Sequence, residues 1–237
     1  MSGIPHHRLA QEFLALSRFL HEGGSPGAAR LRVVHLARTM IEGCDWACIT
    51  MRPTNASAWT AGATDDVARE IDRLQYDVED GPCLEAARTR QPMWSEDLAE
   101  ETRWPQFCAL AREDGRVRSV LAFHLLDEPV PTALNLYSAS PHGLGDEAIA
   151  TGAVFAIHAA TLMAHADSEQ RAQTLGNALS TSRQIGAAIG ILMRAHGITQ
   201  DEAFRLLRSA SNQMNRKLHE IAEDVTALGD IPDRSRS

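Results

Sequence analysis

From Gly145 to His196 the chain contains no proline, whereas the preceding stretch is punctuated by proline and glycine at short intervals. A segment of that length without proline reads as continuous helix, because proline removes a backbone donor and clashes with the preceding turn. The chain is therefore expected to pass from a mixed N-terminal part into an all-helical C-terminal part. Within the helix, Leu175, Ala178, Ser182, Ile185, Ile189 and Leu192 recur at three- and four-residue steps. Such a seam can pair with a second copy of itself, and a homodimer through a coiled coil is expected. The alternative is that it packs on the terminal helices of its own chain.

Those terminal helices carry clear stop and start signals. Gly197 suits the left-handed residue that closes the long helix. Thr199 and Glu202 have the spacing of a capping box, which predicts a helix from Gln200 to about Gln213. Asn215 is expected to cap a last helix, Arg216 to about Leu228, with Leu218, Ile221, Ala222 and Val225 turned inward. Gly229 and Pro232 end it, leaving residues 233–237 as a loose tail.

Before Gly145 the pattern is mixed. Residues 8–22 place Leu9, Phe13, Leu16 and Leu20 at helical spacing, and a second helix is expected over Ala28–Ile41. Strands are expected at Trp46–Met51, Ser57–Ala61, Met93–Ser95, Ser119–Leu125 and Ala133–Ser138, the last two joined by a turn at residues 127–131. Helices are expected over Ala63–Leu74, Cys83–Thr89 and Trp104–Glu113. The fold class is α+β: an antiparallel sheet with flanking helices, then a long connecting helix and an all-α three-helix unit.

Charge follows the same division. Residues 171–237 carry nine Lys and Arg against seven Asp and Glu, a net of +2, so residues 1–170 carry 14 against 24, a net of −10. A basic patch on the C-terminal part would suit nucleic acid. The apolar run Ala148–Ala166 is interrupted by His158 and His165, and it reads as a helix of a cytoplasmic protein. Cys44, Cys48, Cys83 and Cys108 are expected to be reduced, buried and metal-free. No metalloprotease, nucleophile-elbow, P-loop or dinucleotide fingerprint occurs, so the chain is not expected to be an enzyme.

Arg183-Gln184-Ile185-Gly186-Ala187-Ala188-Ile189-Gly190-Ile191-Leu192-Met193 closely resembles the first signature of the ANTAR family. Glu202-Ala203-Phe204-Arg205-Leu206-Leu207-Arg208, Ser211, Asn215, Lys217-Leu218 and Ala222 continue the match. Many members carry lysine where this chain has Ile189. The N-terminal part resembles the GAF family of sensor domains through residues 79–86, Asp97-Leu98, Arg103-Trp104-Pro105-Gln106-Phe107, Gly115, Ser119-Val120-Leu121 and residues 134–138. These resemblances imply a GAF sensor over residues 8–165, a helical linker over 166–177, an ANTAR domain over 178–228 and a tail over 229–237.

The ANTAR resemblance implies binding of RNA hairpins in nascent transcripts as a dimer, so that a terminator cannot form. The candidate RNA contacts are Arg183, Arg194, Arg205, Arg208, Arg216 and Lys217. Phe204, beside Ala203, is expected in the core rather than as a stacking platform. The GAF resemblance implies a possible small-molecule ligand of unknown class, held near Trp59, Tyr76, Cys83, Trp94, Phe107 and Phe123. The same helical unit could otherwise serve a signalling scaffold that binds a protein partner, or a helix-turn-helix DNA binder.

Overall fold

A computed structural model describes residues 24–232. The helix expected over residues 8–22 and the tail from residue 233 lie outside the described residues. The chain divides into two compact units, Met1–Gln170 and Arg171–Ser237.

The first unit is built on a five-stranded antiparallel sheet in the order β2-β1-β5-β4-β3. Its strands are β1 (Trp46–Met51), β2 (Trp59–Ala63), β3 (Met93–Ser95), β4 (Ser119–Leu126) and β5 (Thr132–Ser138). Alternation along each strand sends successive side chains to opposite faces. Ala47 and Ile49 of β1, Leu121, Phe123 and Leu125 of β4, and Leu134 and Leu136 of β5 share one apolar cluster. Against them pack α1 (Pro26–Met40) and the N-terminal part of α5 (Asp146–His196). Arg30 of α1 is tied to Asp167 of α5 at 3.2 Å.

The opposite face carries Cys48, Val120 and Tyr137, covered by α2 (Asp66–Val78), α3 (Pro82–Thr89) and α4 (Pro105–Asp114). Both faces are therefore covered, and every residue of the central strand β5 is buried. The expected strand at Ser57–Ala61 begins two residues later. Its register against β1 shifts at Ile49/Thr50 and sets Thr50 opposite Thr60.

The turn into α3 depends on Gly81, whose φ of +138° lies where side chains are strained. A Cβ there would also lie 2.5 Å from Gln75 Oε1. That oxygen accepts the Cys83 N–H at 2.9 Å, so glycine lets the α3 start close on α2.

α5 is the one element among the described residues long and apolar enough to cross a membrane by length and composition. Phe155, Ala159, Leu162 and Met163 of its apolar part are instead buried in the sheet-facing core.

The second unit contains the C-terminal part of α5 with α6 (Gln200–Met214) and α7 (Leu218–Leu228). Ala188 and Leu192 of α5, Ala203, Leu207 and Ala210 of α6, and Ile221, Ala222 and Val225 of α7 are its buried core. Ala188, Ala203 and Ala222 are fully buried, one on each helix. A methyl group at such a position lets backbones approach where a larger side chain would hold them apart. The capping box forms as expected: Thr199 N–H donates to Glu202 Oε2 at 2.9 Å, and Glu202 N–H points back to Thr199 Oγ1 at 3.4 Å. Gly197 adopts its left-handed conformation with φ +65°.

One expectation about these helices needs correction. Asn215 is not the cap of α7 but the left-handed C-cap of α6, with φ 51°, and Lys217 takes the N-cap position. Asparagine tolerates that conformation, so it can close one helix as readily as it opens another. The heptad seam is covered by its own unit along only part of its length. Leu192 is fully buried in the unit's own core, with Ile185 and Ile189 packed against that core, whereas Leu175 is 62% and Leu179 60% exposed. Every residue from 171 to 180 is exposed, so nothing among the described residues covers the early part of the seam on any side.

Candidate functional site

In the first unit, polar residues stand at inward-facing strand positions where apolar ones would be ordinary. Thr50, Asn135 and Tyr137 point to the layer of α2, and Asp72 of α2 meets them there, fully buried. Asp72 Oδ1 accepts from Asn135 Nδ2 at 2.7 Å and from the Tyr137 hydroxyl at 2.8 Å. Its Oδ2 accepts from Thr50 Oγ1 at 2.8 Å, Thr60 Oγ1 at 2.9 Å and the Tyr76 hydroxyl. One carboxylate thus takes five neutral donors, which offsets the cost of removing it from water.

The network extends outward through side chains. Gln75 Nε2 donates to the Tyr137 hydroxyl at 2.8 Å, and Cys83 Sγ donates to Thr50 Oγ1 at 3.2 Å. Burial, followed by the nearby Asp72 charge, pushes the Cys48, Cys83, Tyr76 and Tyr137 groups above their ordinary values. All four are held protonated, so Cys83 is a poor nucleophile. Asn135 must turn its amide nitrogen toward Asp72, which leaves Asn135 Oδ1 buried without a partner. Beside Tyr76 a cavity of about 60 Å³ is lined by Arg52, Ser57, Glu79 and Leu84.

This centre is not the aromatic pocket expected from sequence. Of the six residues, Tyr76 and Cys83 meet in the network, and Phe107 is buried in the same apolar layer. Phe123 belongs to the cluster on the other face of the sheet, and Trp59 and Trp94 are exposed. The aromatics were separated by strand alternation and by their places on edge strands β2 and β3, where half of each ring meets solvent. Sequence reasoning missed Asp72, Thr50, Thr60, Gln75, Asn135 and Tyr137. The available signal was polar residues at inward positions of otherwise apolar strands.

The residues that carry the GAF resemblance hold the helices of this layer together. Asp80 Oδ2 accepts from the Gln106 and Phe107 N–H groups at the start of α4, at 3.0 and 3.4 Å. Glu85 of α3 accepts from the Trp104 indole at 2.6 Å, and Arg103 stacks on that ring at 4.4 Å. Asp97 pairs with Arg118 at 2.7 Å. Side-chain hydrogen bonds from Arg103, with smaller help from neighbouring backbone amides, bring the Glu101 carboxyl down to about 2.

In the second unit, Arg183, Arg194, Arg205, Arg208, Arg216 and Lys217 are all exposed, and they stand on different parts of the three helices. Arg205 and Arg208 share a flank of α6, one turn apart, with no carboxylate of the described residues within 4.0 Å of either guanidinium, although the Glu202 carboxyl, lowered mainly by Thr199, also feels the Arg205 charge. Arg183 and Arg194 are three turns apart on the face of α5 away from Ala188 and Leu192. Arg216 is engaged by Asp224 at 2.6 Å and Glu220 at 3.6 Å. Lys217 stands at the α7 N-cap, where its N–H donates to Glu220 Oε2 at 3.3 Å. Phe204 is not core: it is 40% exposed, because Ala203, Leu207 and Ala210 define the inner stripe and position 204 falls a quarter turn away.

Comparison with known proteins agrees with this architecture. The model of the GAF domain matches residues 31–164, and that of the ANTAR domain matches residues 173–225. The chain is similar to the GAF domain of a phosphoenolpyruvate-protein phosphotransferase from Coxiella burnetii, with 13% identity, 68% of this chain and 96% of that chain covered, and a TM-score of 0.52. It is similar to the phycoerythrobilin-bound GAF domain of a cyanobacterial phytochrome, with 10% identity, coverage of 68% and 97%, and a TM-score of 0.53. A third likeness is to the chromophore-binding domain of an unusual bacteriophytochrome from R. palustris, with 9% identity and a TM-score of 0.52. There the chain spans 63% of that domain's length, using 69% of its own. No curated protein matches the chain. A five-stranded sheet sandwiched by helices, a three-helix unit closed on three buried alanines and two family models in chain order give one conclusion: the chain belongs to the GAF family and carries an ANTAR domain after its sensor unit.

Proposed function

We propose that this protein is a cytoplasmic, signal-responsive regulator that binds hairpin RNA through its ANTAR unit and promotes transcription antitermination as a homodimer. The observation that carries the reading is the α6 flank, where Arg205 and Arg208 stand exposed and outside any close salt bridge on a closed three-helix unit. Free guanidinium groups one turn apart can fork onto neighbouring phosphates without first giving up a partner. Arg216 lacks that freedom, so the phosphate contacts are assigned first to Arg205, Arg208 and Lys217. Arg183 and Arg194 are the second surface.

The GAF unit is assigned control rather than catalysis. Its centre is filled by its own side chains, and a ligand entering beside Tyr76 would have to take over hydrogen bonds to Asp72 or meet the open Asn135 Oδ1. Such a ligand regulates RNA binding only if it has different affinities for two arrangements of α5, the helix common to both units. The exposed Leu175 and Leu179 are the proposed start of the dimer contact.

The test is equilibrium binding of the full chain to an RNA hairpin and to duplex DNA of the same stem sequence over a range of salt. Salt-sensitive binding of the RNA with at least about tenfold weaker binding of the DNA is expected. Equal binding of both makes the unit a general polyanion binder. Absence of RNA binding with recovery of a specific protein complex assigns it to the scaffold reading instead.

A further inference from the structure

A large aromatic side chain gains most from burial, yet α6 buries Ala203, Leu207 and Ala210 and leaves Phe204 outside. A single exposed apolar residue is unremarkable. Phe204 is not an isolated case, because its flank neighbours are charged: Arg208 lies one turn further along the same flank, and Arg205 follows it directly. Asp201 and Glu202 are confined to the first turn of α6, where Glu202 is occupied by the Thr199 cap.

An open ring face with two exposed guanidinium groups on its solvent side suits an unpaired nucleobase with its phosphates. The ring accepts the π-face of the base, and the arginines take the charge of the neighbouring phosphates. A protein partner would dock there only by bringing carboxylates to both arginines, whereas each nucleotide carries its own phosphate. We infer that Phe204 is the base-stacking platform of the ANTAR unit, receiving one unpaired loop nucleotide beside Arg208 and Arg205. This rests on the RNA-binding reading above and names the loop contact that the reading leaves open.

The experiment uses the full chain and a pool of RNA hairpins with one stem and a randomised loop, with wild type compared against Phe204→Ala, Phe204→Leu and Phe204→Trp. Affinity is measured across salt, and circular dichroism and melting check the fold. Stacking predicts that Ala and Leu weaken binding about tenfold at every salt concentration, with the salt slope unchanged, while Trp retains wild-type affinity. The leucine variant separates stacking from simple apolar contact, since it keeps most of the apolar bulk without a π-face. Wild-type affinity in Phe204→Leu or Phe204→Ala overturns the stacking role while RNA binding stands. Failure of the wild type to bind any hairpin of the pool overturns both.

Discussion

Asp72 is the residue on which most of the first unit's polar geometry converges. Replacing it with alanine leaves the Thr50, Thr60, Tyr76 and Tyr137 hydroxyls and the Asn135 amide without their common acceptor. Each stranded buried group costs about 1–3 kcal/mol, partly relieved because hydroxyls can turn to one another. Asp72→Ala is therefore expected to lower unfolding stability by about 3 kcal/mol or more, read as a shift of the urea midpoint at constant slope. A loss below about 0.5 kcal/mol would contradict the network's role. None of this was legible as a motif, because positions 50, 60, 72, 76, 135 and 137 meet only after strand pairing and helix docking. What could be read locally was read correctly: the Thr199–Glu202 box and the left-handed Gly197 depend on neighbours three or four residues away. Asn215 shows the limit of local reading, since the same side chain serves a helix end or a helix start.

For the elements, periodicity identified every strand and helix of the described first unit, with boundaries moved by a few residues where turn geometry intervened, as at β2. Periodicity did not settle which side of α5 faces what. The seam from Leu175 to Leu192 satisfies a heptad rule in sequence, yet only its later members Ile185, Ile189 and Leu192 meet the unit's core, while Leu175 and the neighbouring Leu179 lie in a stretch exposed on every side. The two ends of the seam should therefore respond differently to substitution. Leu175→Glu with Leu179→Glu is expected to weaken self-association at least about tenfold in sedimentation experiments, with the melting temperature of the ANTAR unit unchanged. Leu192→Ala is expected to cost about 2–5 kcal/mol of ANTAR stability, as for other fully buried leucines. Unchanged self-association in the double glutamate variant would place the dimer contact elsewhere.

At the scale of the whole molecule, the chain combines a sensor unit with a filled polar centre and a small helical unit with an open basic flank. The family resemblances were legible because their motif residues are structural in both units. Asp80, Glu85 and Trp104 lock helices of the GAF layer, and Ala188, Ala203 and Ala222 set the helix spacing of the ANTAR unit. Function is less constrained by those residues, which is why the aromatics expected around one pocket are spread over both faces and the edges of the sheet. The central claim is that the α6 flank contacts RNA phosphates. It is tested most directly by the salt dependence of hairpin RNA binding for wild type and for Arg205→Ala with Arg208→Ala, the fold being checked by melting. Weaker binding is expected in the double variant, with a log–log slope shallower by about two units, one for each lost phosphate contact. An unchanged affinity and slope in a folded double variant would contradict it.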